Sequence, residues 1–155
     1  MTLPEAPAER VRAVLEEVVE ALDLDAEVSV DEDLERILGA VEGEDLGLLI
    51  GRRGQTIDAL QLLCYRAAFR GHAERKRVVV DAAGYRARRR ELVERQADRA
   101  AERALETGRE IELEPMSPTE RKIVHDRLAD RTGLETFSEG EEPTRCVIVA
   151  PLVND

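Results

Sequence analysis

The chain has 155 residues and a formal net charge of −11, with 23 lysines and arginines against 34 aspartates and glutamates. Such an acidic balance argues against a nonspecific polyanion binder, and the length fits one compact unit or two small domains. Two Phe, two Tyr and no Trp argue against an aromatic platform on which successive bases stack.

In chain order, Val11, Val14, Leu15, Val18 and Leu22 recur at helical spacing and predict an amphipathic helix near residues 8–22. Residues Glu27 to Val30 alternate like a short strand, and Asp31 to Asp33 read as a polar turn. The segment from Leu34 to Val41 fits either a helix or a strand; Gly39 and the preceding turn favour a strand paired as a hairpin with the first. Asp45 is placed to cap a short apolar turn, Leu46 to Ile50. Next comes Gly51-Arg52-Arg53-Gly54, and then an amphipathic helix from Gln55 to Arg70 with Ile57, Leu60, Leu63, Cys64 and Ala67 as its apolar face. Residues 77–81 read as a strand with a continuous apolar centre.

Ala83-Gly84 separates this unit from a long helix, Tyr85 to Thr107, with a small-residue face of Val93, Ala97, Ala100, Ala101 and Ala104 and a stop at Gly108. Arg86, Arg88, Arg89 and Arg90 crowd its first turns, where the helix dipole disfavours cations. A strand over 110–114 follows, then Ser117 and Glu120 as a capping box for a helix carrying Arg121 and His125 on one face. Residues 134–138 and 145–149 read as strands joined by the acidic turn Glu139 to Pro143.

Charge is unevenly spread. Residues 1–50 hold 3 basic and 15 acidic side chains, residues 51–90 hold 11 and 3, and residues 91–155 hold 9 and 16. The positive block is centred on Gly51–Gly54. Two glycines let a backbone turn come close to a ligand, the helix that opens there offers unpaired N–H groups and the positive end of its dipole, and two guanidinium groups suit phosphate. A nucleic-acid backbone matches all three. Arg121 and His125, four apart, can both donate to phosphate oxygens. Acidic Glu139, Glu141 and Glu142 can fold back near them and repel the same phosphates.

Other classes fare worse. The two histidines have no recognisable nucleophile beside them, and the carboxylates do not cluster as in a two-metal nuclease. Cys64 and Cys146 match no metal-ligand spacing, and Cys64 reads as a buried thiol. No catalytic residue, metal or cofactor is expected. A protein-interaction module remains the alternative, although it has no need for cations between two loop glycines. No secretory signal opens the sequence, and no stretch approaches the roughly 18 apolar residues of a membrane span; a cytoplasmic protein without membrane insertion is expected.

The order helix, strand, strand, short helix, GXXG, helix, strand resembles the α-β-β-α-α-β type II KH fold. The segments around Arg121-Lys122-Ile123-Val124-His125 resemble the R-three-H domain. Together with Leu48 to Gly54, Glu112 to Pro118 and Thr136 to Glu141, they make the chain similar to the bacterial Jag family, whose members are also called KhpB or EloR, from about residue 8 to Pro151. Many members carry a further N-terminal domain ahead of this region, and Cys146 stands where a second basic residue is expected beside Arg145. The resemblance implies an α+β protein: a KH domain over 1–83, a connecting helix over 84–108 and a small α/β R-three-H domain over 109–155. It further implies a single-stranded RNA-binding regulator of cell elongation and cell-wall synthesis, single-stranded DNA being the other candidate ligand. A small single-domain KH protein and membrane-associated proteins are the partners it suggests. The expected RNA-binding residues are Ile50, Gly51, Arg52, Arg53, Gly54, Gln55, Ile57, Arg121 and His125, with further phosphate contacts at Arg86, Arg89, Arg90, Lys122 and Arg145.

Overall fold

The computed structural model describes residues 2–153, which form two compact units, one running to Arg86 and one from Ala87. In the first, α1 (Pro7–Ala21), β1 (Ala26–Glu32), β2 (Arg36–Gly43), α2 (Gly47–Ile50), a 3-10 turn (Arg52–Gly54), α3 (Gln55–Phe69) and β3 (Arg77–Ala82) follow one another in the expected order. The sheet runs β1-β2-β3. β1 and β2 are antiparallel with Val30 opposite Gly39, and β2 and β3 are parallel with Gly39 opposite Val80. A parallel pair needs a crossover, and α2, the glycine loop and α3 supply it.

The ambiguous segment after residue 34 is the strand β2. Its burial alternates through Ile37, Gly39 and Val41, which is the period of a half-buried strand. The Asp33 carboxylate shapes the hairpin turn by accepting from the Glu35 and Arg36 N–H groups at 2.8 and 2.9 Å. A Cβ on Gly39 would lie 2.6 Å from Leu15 Cδ1, so this glycine lets α1 settle close to the sheet. Val11 and Leu15 of α1, Ile37 and Val41 of β2, Ile57 and Cys64 of α3, and Val80 of β3 are all fully buried in one cluster. Asp45 does not cap α2: its backbone is left-handed (φ 58°) and Leu46 occupies the N-cap without a side-chain bond.

The second unit contains α4 (Tyr85–Thr107) from Ala87 onward, β4 (Ile111–Glu112), α5 (Pro118–Leu128), β5 (Leu134–Glu139) and β6 (Cys146–Pro151). Its sheet is antiparallel in the order β4-β6-β5, with Phe137 opposite Ile148. Central β6 is buried from Cys146 to Ala150, so its sequence is an unbroken apolar run. The helix expected as a connector is a core element here. Val93, Ala97, Ala100, Ala101 and Ala104 pack with Val124, Leu128, Leu134, Val147 and Val149. Three short strands and one 11-residue helix lack the apolar surface for a core alone, and the small-residue face of α4 completes it. Gly108 ends the helix at φ 64°, its N–H bonded to the Ala104 carbonyl at 2.9 Å. At the start of α5 the Ser117 hydroxyl accepts from Glu120 N–H while the Glu120 carboxylate accepts from Ser117 N–H, each at 3.3 Å. Among the described residues no helix is long and apolar enough to cross a membrane.

Candidate nucleic-acid interface

The loop between α2 and α3 makes three backbone demands within four residues. Gly51 has φ 73° and ψ 177°, Arg53 φ 54° and ψ 28°, and Gly54 φ 76° and ψ 12°. A Cβ on Gly51 would come within 2.1 Å of Thr56 Oγ1 and 2.9 Å of Thr56 N. On Gly54 it would come within 2.7 Å of Tyr85 Cε1. Both glycines are therefore fixed by the loop's own packing as well as by their dihedral angles. Arg53 is left-handed without being glycine, a conformation that costs about 1–2 kcal/mol and is concentrated at functional sites.

Gly54 is the N-cap of α3 and offers no side chain to the first N–H groups of the helix. The N–H groups of Gly54 and Gln55 are bonded within the loop, to the Gly51 and Arg52 carbonyls, and the positive end of the 15-residue helix opens there. Arg52 and Gln55 are exposed and Arg53 half-buried. The flanking apolar residues differ from expectation. Ile50 is half-buried, but Ile57 has 0% exposure and belongs to the core, so it cannot wall a groove. Leu48 of α2, three residues before Gly51, is 63% exposed.

The arginines opening α4 do not form a free cationic stripe. Arg86 spends its guanidinium inside the first unit, donating to the Val80 carbonyl at 2.7 Å, Asp58 at 2.8 Å and Gln61 at 3.0 Å. Arg89 pairs with Glu120 at 2.6 Å, with side chains only 16% and 12% exposed. These two are structural, which removes them from the expected phosphate contacts. Arg90 and Lys122, both exposed, meet half-buried Glu94 and exposed Asp126 one turn along at 3.1 and 2.6 Å. Such pairs contribute only about 0.3–0.5 kcal/mol. Arg145 turns back on its own hairpin, donating to the Gly140 carbonyl at 2.5 Å and the Ser138 carbonyl at 3.4 Å.

Arg121 and His125 share a face of α5, and that face is turned inward. Arg121 is buried, donates to the Met116 carbonyl at 2.7 Å and pairs with Glu142, so the acidic turn does fold back onto it. His125 is half-buried. Its Nδ1 lies 2.7 Å from Thr136 Oγ1 and its Nε2 3.1 Å from Ser138 Oγ. Burial holds its pKa below the usual histidine value; nearby Asp126 acts in the other direction and Arg121 in the same one. At neutral pH the ring is uncharged, one nitrogen donating and the other accepting. Sequence reasoning misses Thr136 and Ser138, although their two-residue spacing on β5 places both on the side facing α5. Burial also pushes the Cys64 thiol up to about 12, and among the described residues no cluster of three or more His, Cys, Asp or Glu is arranged to hold a metal.

Residues 8–81 match the model of the KhpA/KhpB KH domain, and residues 91–151 match that of the R-three-H domain. The chain is 38% identical over 138 residues to the RNA-binding protein KhpB of Clostridium symbiosum, covering 88% of this chain and 62% of that protein. It is 36% identical over 146 residues to RNA-binding protein KhpB of Bacillus subtilis, covering 93% and 70%. With the protein of that name from Streptococcus pneumoniae serotype 2 it shares 32% identity over 145 residues, covering 94% and 44%. The chain thus spans between about two fifths and seven tenths of the length of these relatives.

Proposed function

The chain belongs to the KhpB family, and on that footing we propose that it binds single-stranded RNA, with the backbone held at Gly51–Gly54. One observation carries the reading: a turn with φ near 54–76° at three of its four residues opens the uncapped N-terminus of α3 and carries two arginines. Helix N–H groups and guanidinium groups together suit phosphate oxygens. Leu48 and Ile50 supply the apolar wall for about four bases. RNA is favoured over single-stranded DNA by what the relatives are named for binding.

In the second unit, Arg90 and Lys122 are the cations most readily recruited by phosphate, because both are themselves exposed and weakly held by a carboxylate one turn along. Arg121 and His125 act as positioning residues that hold α5 against β5 and its turn. The family resemblance adds a cytoplasmic, non-enzymatic role in cell elongation and cell-wall synthesis, a small single-domain KH protein as partner, and membrane-associated proteins nearby.

The test is Arg52→Asp with Arg53→Asp, which sets two anions where phosphates approach. Gel shifts with single-stranded RNA should lose most binding while circular dichroism shows unchanged helix content, since loop surface residues carry little core energy. Wild-type binding should weaken with salt as counterions are released. Unchanged affinity in the double variant would remove the loop from the RNA site.

A further inference from the structure

The far end of α3 carries a second concentration of positive charge. Arg66, Arg70 and Arg75 surround a hollow of about 320 Å³ whose remaining walls are Tyr65, Phe69 and Gly71. All three arginines are exposed. Among the described residues their guanidinium groups form no hydrogen bond or ion pair. Several other arginines of this acid-rich chain are turned to carboxylates or carbonyls, among them Arg86, Arg89, Arg121 and Arg127.

A helix C-terminus exposes carbonyl oxygens and the negative end of its dipole, which would blunt attraction for an anion. Arg10 of α1 offsets this. Its Nη1 donates to the carbonyls of Ala67, Ala68 and Arg70 at 3.3, 3.4 and 2.8 Å. The helix end is thereby covered by a cation, and the three remaining guanidinium groups keep their field. Tyr65 meets Phe69 edge-on, with ring centres 5.5 Å apart, and is itself only half-buried. Guanidinium groups suit phosphate, while an aromatic ring and guanidinium planes suit a base. The volume lies at the low end of the roughly 300–1,000 Å³ of ligand sites, which is room for one nucleotide and too little for an oligonucleotide.

We propose that this hollow takes a single nucleoside phosphate, its phosphate on Arg66, Arg70 and Arg75 and its base against Tyr65. The ligand arrives either as a free nucleotide or as one nucleotide of an RNA strand; only the second form rests on the reading of the glycine loop. The 15 residues of α3 extend about 22 Å, so the hollow and the loop at the helix's other end are separable by mutation.

Isothermal titration of the full chain with 5′-AMP, adenosine and inorganic phosphate tests the free form. The comparison variant is Arg66→Gln/Arg70→Gln/Arg75→Gln, which removes charge but keeps length and polarity. Fluorescence anisotropy with RNAs of four and twelve nucleotides tests the strand-borne form, with Arg52→Asp/Arg53→Asp as the independent control. A free-nucleotide site gives AMP binding at least tenfold tighter than adenosine or phosphate, and at least a tenfold loss in the triple variant. A strand-borne site gives at least a tenfold loss for the twelve-mer in the triple variant, with the four-mer unchanged. If the triple variant lowered helix content, Arg66→Gln and Arg75→Gln singly would carry both comparisons. Equal behaviour of wild type and variants toward both AMP and the twelve-mer would overturn the proposal. Loss of four-mer binding in the loop variant within that same experiment would show the loop reading standing while this one falls.

Discussion

Replacing Arg121 by alanine should destabilise the second unit rather than weaken RNA binding directly. The side chain is 10% exposed, and its Nη1 donates to the carbonyl of Met116, a residue itself only 6% exposed. Leaving that carbonyl unpaired costs about 1–3 kcal/mol. The buried methylenes of the arginine stem add ~0.8 kcal/mol each. The pair with Glu142 adds little, because that carboxylate is 53% exposed and solvent screens it to under ~1 kcal/mol. The loss is then about 3 kcal/mol, which for a unit of this size lowers the melting temperature by more than ~10 °C. Thermal denaturation of the full chain, followed by circular dichroism, measures it. Glu142→Gln serves as the comparison and should move the midpoint by only a few degrees. Affinity for a four-nucleotide RNA, measured well below the transition, should not change. An unshifted midpoint in Arg121→Ala, together with a tenfold loss of affinity for longer RNA, would refute the reasoning and restore Arg121 as a phosphate contact.

Gly54→Ala should lower stability by about 1–3 kcal/mol in denaturant titrations, because the new Cβ meets Tyr85 Cε1 at 2.7 Å and the backbone sits at φ 76°; wild-type stability would mean that the ring moves aside. Glu120→Ala should cost about 2–3 kcal/mol, as it removes the 12%-exposed carboxylate to which Arg89 donates and opens the capping box together, and a melting midpoint within a few degrees of wild type would count against that network. For His125 the folded pKa lies below that of the unfolded chain, so the unfolded state takes up its proton first as pH falls. Its contribution to stability is complete above about pH 6.5 and is lost as pH drops from there through the lowered folded value. Melts between pH 8 and 5 should show that fall, and His125→Gln should flatten it. A His125-dependent tightening of RNA binding centred at or above pH 6.5 would contradict the neutral, doubly bonded ring.

Local pattern carries most of the fold, and partner choice it does not carry. The capping box at Ser117, the stop at Gly108 and the glycine loop each depend on residues within four positions, and all stand where the sequence places them. The buried face of α3 is slightly rotated from the predicted one. Ile57, Leu60, Cys64 and Ala68 are buried while Leu63 is 60% exposed. At about 100° per residue, Leu63 lies roughly a third of a turn from the centre of that stripe, and apolar chemistry alone does not tell edge from centre. The same rotation carries Ile57 inward, away from the groove. The arginines are harder still. Arg86 finds Asp58 and Gln61 at separations of 28 and 25 residues, and Arg89 finds Glu120 at 31. A run of like charges shows that cations are present, and only the tertiary fold decides which are consumed internally. The hollow at the end of α3 is hidden from the sequence for the same reason, since Arg10 reaches it from a different helix.

The ring of Tyr85 against Gly54 and the three bonds of Arg86 bear on how this protein can be cut. Ala83-Gly84 is the junction that punctuation in the sequence recommends. A fragment ended there keeps every helix and strand of the first unit yet discards the side chain that backs the glycine loop and the guanidinium that joins α3 to β3. Such a fragment should fold with a slackened loop, and weak RNA binding by it would be misread as evidence that the second unit grips RNA. Ending the fragment a turn or more beyond Arg86 separates the two explanations. The start of the long helix is, in effect, a buttress for the loop, and modules divided by their motifs alone would assign it to the wrong owner.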